Sequence, residues 1–238
     1  MPNDGVAAVD RALSILEAFG PDEATLSLAE LARRTGLYKS TLLRLAASLE
    51  RAGYLRRSTD GQFRLGPTVL KLGGLYQRSF DLGDYVNPVL RQLAERSGES
   101  TSFYVREGDR RICLYRVNSM QHRILHYVQV GSQLALHTGA SGQVILAFTE
   151  TSPDHAEIRQ TGLALSLQRS SETAAMACPV FGPAGFVGAL SMAGPRHRFG
   201  PAQLPELQRA VLEAALELTV ALGGQGQLLR TTLARANQ

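Results

Sequence analysis

The sequence predicts an α+β chain: a mostly α-helical winged helix-turn-helix at the N-terminus, a linker helix, and a C-terminal α/β domain built on a sheet. Three observations predict it. Two short apolar stripes at helical spacing flank a glycine turn at Gly36. A basic hairpin pattern follows them directly. From Ser100 onward the apolar period changes from helical to two.

The helix-turn-helix begins at Ser27-Leu28-Ala29-Glu30. This is a capping box, in which the serine hydroxyl accepts from the backbone N–H three residues on and the glutamate reaches back. Leu28, Leu31 and Ala32 form the stripe of the first helix, and Gly36 is its C-cap. In the second helix Leu42, Leu45, Ala46 and Leu49 fall at i, i+3, i+4 and i+7 and face inward. Lys39, Ser40, Leu43, Arg44 and Ala47 then face outward. Lys39, Ser40, Thr41 and Arg44 lie toward the N-terminal end of this recognition helix, the end that meets base edges.

Tyr54 to Arg57, Ser58 to Gly61 and Gln62 to Leu65 read as strand, turn and strand, with Asp60-Gly61 as the hairpin signal. Arg56, Arg57 and Arg64 on this wing are expected to meet phosphates. Between Leu28 and Leu65 the bases Arg33, Arg34, Lys39, Arg44, Arg51, Arg56, Arg57 and Arg64 face only Glu30, Glu50 and Asp60. That segment is more positive than the whole chain, whose net charge is +4. A solvated helical pair in an enzyme is the competing reading, but it does not require cap, turn, periodicity and basic wing together.

Composition sets outer limits. The 238 residues suffice for one large or two ordinary domains, and 44% hydrophobic content supplies a core. A pI near 9.3 fits a nucleic-acid partner. Cys113 and Cys178 make neither a disulfide framework nor a zinc set, which points to a reducing cytoplasm. No apolar run reaches roughly 18 residues, so no membrane partner is expected. The start MPNDGVAAVD lacks the basic and apolar regions of a secretory signal.

The sequence divides into a DNA-binding domain over 6–66, a linker over 67–80, a sheet domain over 81–222 and a tail over 223–238. Val9, Ala12, Leu13, Leu16 and Phe19 give a first helix that completes a three-helix core. Gly66-Pro67 ends the wing, and Val69, Leu72, Gly73 and Tyr76 share one face of the linker helix. Such a helix packs either on a second copy of itself or on its own sheet domain.

A helix over about Leu82 to Ser97 ends at Gly98. Strands are expected over Thr101 to Arg106, Arg111 to Val117, Ile124 to Val130, Ala174 to Phe181 and Phe186 to Ala193. Leu136 to Gly142 leads into a helix through Val144, Ile145 and Phe148, and Pro201 to Leu222 forms a long closing helix. The expected arrangement is a sheet with helices on one face.

The order and wording of these segments resemble the IclR family of bacterial transcriptional regulators. The landmarks are VDRALSILEAF at Val9 to Phe19, LAELARRTGLYKSTLLRLAASLERAGYL at Leu28 to Leu55, Leu65-Gly66 with Leu72-Gly73, LHTGASG at Leu136 to Gly142, Ala177 to Val180, and Ala189 to Pro195. The resemblance spans about residues 6 to 222 and is closest in the DNA-binding half. It implies a GAF-like effector domain and a homodimer that can pair into a tetramer. It also implies no catalysis. Two recognition helices related by a two-fold predict a double-stranded operator of pseudo-palindromic sequence, and the regulator is expected to be a repressor. The chain departs from the family at Gly142-Gln143, where Gly-Lys is usual, and at Ala193, where a second serine is common. The stretch from Phe148 to Ile158 is short, so a helix covering the pocket is expected to be missing.

The Gly139 to Gly142 turn opens a helix, and free N–H groups there favour an anion such as a carboxylate. By resemblance, contacts to a small organic acid effector carry to Ala140, Ser141 and Ser191, and by a looser match to Ala175. The alternative is a DNA-binding dimer whose sensor domain is degenerate and ligand-independent. Gly139-Ala140-Ser141-Gly142-Gln143 lacks the second glycine of a nucleophile elbow. His122 and His126 do not share a helical face, and no GxGxxG or P-loop occurs. No catalytic residue, cofactor or metal is therefore expected.

Overall fold

A computed structural model of the chain describes residues 5–20, 23–78, 82–119, 128–167 and 172–236. The chain forms two compact units, Met1–Ser79 and Phe80–Gln238.

The first unit orders α1 (Ala7–Glu17), α2 (Leu28–Thr35), α3 (Lys39–Arg51), β1 (Leu55–Arg57), β2 (Phe63–Leu65) and α4 (Pro67–Arg78). Ser27 caps α2, its hydroxyl accepting from Glu30 N–H at 3.1 Å. The reciprocal half of the expected box does not form. The Glu30 carboxylate instead receives Arg33 and Arg34. Gly36 closes α2 at φ +69°, a left-handed position that glycine adopts without a Cβ clash. Ile15, Leu31, Leu42, Ala46, Leu55 and Phe63 form the buried core of this unit. Leu26 ties the chain ahead of α2 to the wing through paired backbone bonds with Phe63.

The second unit orders α5 (Gly83–Ser97), β3 (Ser100–Glu107), β4 (Arg110–Val117), β5 (Gln133–Ala135), α6 (Gly139–Thr149), α7 (Ala156–Thr161), β6 (Ala164–Ser166), β7 (Thr173–Gly182), β8 (Gly185–Pro195), α8 (Leu204–Ala221) and α9 (Gln227–Ala236). Its strands make one antiparallel sheet in the order β5-β4-β3-β8-β7-β6.

Helices cover both faces of that sheet, which corrects the expected single covered face. On one side α5 and α8 bury Val86, Leu90, Val211 and Leu218 against Phe103, Leu114, Met176 and Leu190. On the other, Val144 and Ile145 of α6 pack on Tyr104, Cys113, Ala177 and Ala189. A strand buried on both faces loses the apolar–polar alternation that would have marked the second layer.

Three further differences concern single segments. The expected tail over 223–238 carries α9, with Leu229 fully buried in the α8 side of the core. A 3-10 turn at Pro153–His155 and the short α7 occupy the stretch expected to lack a helix. Most of the strand expected over Ile124 to Val130 lies outside the described residues, as do His122 and His126. The closing helix starts at Leu204 rather than Pro201.

Candidate nucleic-acid interface and ligand cavity

The apolar positions of α3 fix which of its residues face outward. With Leu42 and Ala46 buried, Lys39, Ser40, Leu43, Arg44 and Ala47 are exposed and Thr41 is half-buried. Among the described residues neither Lys39 nor Arg44 makes an ion pair, so both charges are available. Arg33 and Arg34 are engaged instead. Arg33 pairs with Glu30, while Arg34 joins Glu30, Glu23 and the Ala18 carbonyl, clamping α2 to the loop after α1. Sequence reasoning missed Tyr38. It is the N-cap residue of α3, makes no side-chain cap, and is 84% exposed at the tip of the recognition helix. An aromatic residue just ahead of Lys39-Ser40 was its signal.

On the wing, Leu55 and Phe63 point into the core while Arg56 and Arg64 stand exposed opposite each other. Arg57 differs from them. Its Nε donates to the Gly61 carbonyl at 3.3 Å, and its guanidinium lies 5.2 Å from the Phe63 ring centroid. It braces the turn, leaving Arg56 and Arg64 as the unengaged wing bases among the described residues. The chain then enters α4 after Gly66, and Thr68 ties the helix start back to the end of α3, its hydroxyl donating to the Ala52 carbonyl at 3.0 Å and its N–H to the Gly53 carbonyl. Beyond this anchor α4 leaves Leu70, Leu72, Leu75 and Tyr76 exposed.

In the second unit Ala140, Ser141, Ala175 and Ser191 line one cavity of about 270 Å³. Its walls also include Tyr104, Arg111, Val128, Leu134, Thr138, Gly139, Ser166, Thr173, Ala174 and Ala193. The β7–β8 pairing brings Ala175 opposite Ala193 and Ala177 opposite Ser191. The α6 start supplies the facing wall. Thr138 makes no side-chain cap for α6; its hydroxyl donates to the Ala135 carbonyl at 3.1 Å. The first-turn N–H groups therefore have no side-chain acceptor. Ser191 reaches the cavity from β8. Its hydroxyl donates to the Met176 carbonyl at 2.9 Å, so its proton is engaged across the sheet. Neither α7 nor the preceding 3-10 turn lines the cavity.

Arg111 is the cavity residue that sequence reasoning passed over. It is 6% exposed, and its Nη1 donates to the Ala135 carbonyl and to Thr138 Oγ1 at 3.4 Å. Its guanidinium lies 5.6 Å from the Tyr104 ring centroid. Burial lowers its affinity for the proton, yet a guanidinium stays charged near neutrality. Burial also pushes the Tyr104 hydroxyl up to about 12 and the Cys113 thiol up to about 11. Both therefore stay protonated at neutral pH. The signal in sequence was period two: Arg111 shares a strand face with Cys113, a position where an apolar residue is normal.

Two family models and several curated and solved proteins match this chain. The IclR helix-turn-helix domain matches residues 8–59, and the bacterial transcriptional regulator IclR C-terminal domain matches residues 75–156. The HTH-type transcriptional regulator BhcR of Paracoccus denitrificans is 30% identical over 244 residues, covering 90% of this chain and 87% of that protein. The transcriptional repressor IclR of Escherichia coli is 25% identical, covering 92% and 91%. An IclR homologue from Microbacterium hydrocarbonoxydans, solved with 4-hydroxybenzoate, superimposes with a TM-score of 0.73 at 21% identity, over 91% of this chain and 99% of that one. The chain belongs to the IclR family and is a DNA-binding transcriptional regulator, not an enzyme.

Proposed function

We propose that this regulator is a homodimeric repressor whose operator binding is set by a small organic acid held in the second unit. The observation that carries the effector reading is the convergence of Ala140, Ser141, Ala175 and Ser191 on one cavity at an uncapped helix start. Free N–H groups and the helix dipole favour an anion there. Relatives from Escherichia coli and Salmonella typhimurium carry the names transcriptional repressor and acetate operon repressor, which supports repression.

The dimer reading rests on α4. Leu72, Leu75 and Tyr76 fall at i, i+3 and i+4 and are exposed, a stripe suited to a second copy of the helix. Two recognition helices related by a two-fold axis read half-sites about one helical turn apart, hence a pseudo-palindrome. Pairing of two dimers gives the tetramer. The cytoplasm is the compartment of such a DNA-bound protein, and no helix among the described residues is long and apolar enough to cross a membrane.

A thermal-shift screen of organic acids tests the effector reading, with 4-hydroxybenzoate among the first probes. At least one acid stabilises the wild type and fails to stabilise Ser141→Leu, whose larger apolar side chain intrudes on the cavity at the helix start. If no acid does so, the sensor is degenerate and the chain is a ligand-independent DNA-binding dimer.

A further inference from the structure

Arg111 is a buried cation with no counter-charge among the described residues. It lies on the sheet face that α6 covers, among Tyr104, Cys113 and Ala140. Elsewhere in this unit Arg198 pairs with Glu99 and Arg106 with Glu150. Arg111 meets no carboxylate among the described residues, and its buried Nε has no hydrogen-bond partner there. None of the described cavity-lining residues is an Asp or Glu, and Tyr104 and Cys113 are neutral.

The tip of the side chain faces the first turn of α6. A Cβ built at Gly142 would lie 2.8 Å from Arg111 Nη1, and one at Gly139 would lie 3.4 Å from Nη2. A guanidinium and the positive end of a helix thus meet across one small space. With the guanidinium buried, two like electrostatic features side by side are costly unless an anion joins them.

We infer that Arg111 is the anion-recognition residue of this cavity and that its ligand is a monocarboxylate with an apolar body. This rests on the effector reading above and gives that site its charge logic. A guanidinium receives a carboxylate through paired N–H bonds, which a neutral ligand cannot supply. One cation balances one carboxylate, whereas a dicarboxylate would leave a second negative charge unpaired in the cavity. Leu134, Val128, Ala174, Ala175 and Ala193 offer apolar wall to the remainder of the molecule. Ser191 is not the anion donor, because its proton already serves the Met176 carbonyl.

The test uses the full chain and calorimetric titration with matched probes: benzoate, 4-hydroxybenzoate and short branched monocarboxylates, each beside its primary amide and a dicarboxylate of similar size. For any acid that binds the wild type, the amide and the dicarboxylate bind weaker by about tenfold or more. Arg111→Met lowers that preference to what the helix start alone supplies, a severalfold drop in the acid-to-amide ratio, while Arg111→Lys retains it. Far-UV circular dichroism establishes that each variant is folded. Should Arg111→Met not fold, the acid-to-amide ratio of the wild type still decides. A wild type that binds amide as tightly as acid, or an Arg111→Met protein that keeps the full preference, overturns the role of Arg111 and leaves the effector reading standing. A wild type that binds none of the monocarboxylates overturns both.

Discussion

Arg56 and Arg64 stand directly opposite each other across the two strands of the wing, both exposed and neither in an ion pair among the described residues. Like charges at facing positions destabilise a strand pair. In the proposed complex DNA phosphates would supply the missing negative charge. Arg64→Thr should therefore act in opposite directions on folding and binding. It leaves the melting temperature unchanged or slightly higher, weakens binding to all DNA sequences alike, and lowers the slope of log affinity against log salt by about one unit. Salt-dependent anisotropy titrations check this, and an unaltered slope contradicts a phosphate contact.

The recognition helix should behave differently. Arg44 is exposed on the outward side of α3, one turn on from the exposed Ser40, and Lys39 is exposed at the start of the same helix. Arg44→Ala is expected to cost about 1–3 kcal/mol on the operator if it reads a guanine bidentately, with little change on unrelated DNA. Combined with Lys39→Ala, an unchanged operator affinity would remove α3 from the interface.

Replacing Leu72 and Tyr76 of α4 with Glu places charges in the proposed seam between two copies. Neither side chain is part of a buried core, so each unit keeps its fold. Sedimentation should find a dimer for the wild type and a monomer for the variant. A dimer persisting at low micromolar concentration would move the interface elsewhere.

Glu30 gives the DNA-binding unit an acid dependence. Hydrogen bonds from Arg33 and then Arg34 hold its carboxyl down at about 2. A carboxyl depressed in the folded state stabilises that state above its unfolded value, near ~4.3, and the contribution disappears as pH falls toward about 2. Glu30→Gln should flatten the stability profile across that window and leave its shape near neutrality unchanged. Melting curves at stepped pH measure the difference, and parallel wild-type and variant profiles below about pH 4 would contradict it.

How far these features were legible in the sequence follows from how local each one is. The cap at Ser27, the left-handed Gly36 and the Leu42–Ala46 stripe depend on residues a few positions apart, so the helix-turn-helix could be read directly. The four small residues of the cavity could be named only through family resemblance, because β7, β8 and α6 are brought together by sheet pairing and packing. Arg111 escaped because an arginine near a strand end, here beside Arg110, ordinarily faces water. Only the docking of α6 on that face turns it inward. The direction of the Ser191 hydroxyl depends on cross-strand register with Met176, which no local pattern encodes. For α9, a Gly223-Gly224 break and a single fully buried leucine left too weak a stripe to distinguish a helix from a tail.

The most direct measurement is operator affinity with and without a saturating acid, by anisotropy at fixed salt, on DNA from upstream of the protein's own gene. Coupling between two sites on one protein is typically about 5- to 150-fold. An acid that stabilises the wild type should shift its operator affinity by a factor in that range, and should not shift that of Ser141→Leu. An acid that binds in the cavity yet leaves operator affinity the same would contradict a sensor coupled to the DNA-binding unit.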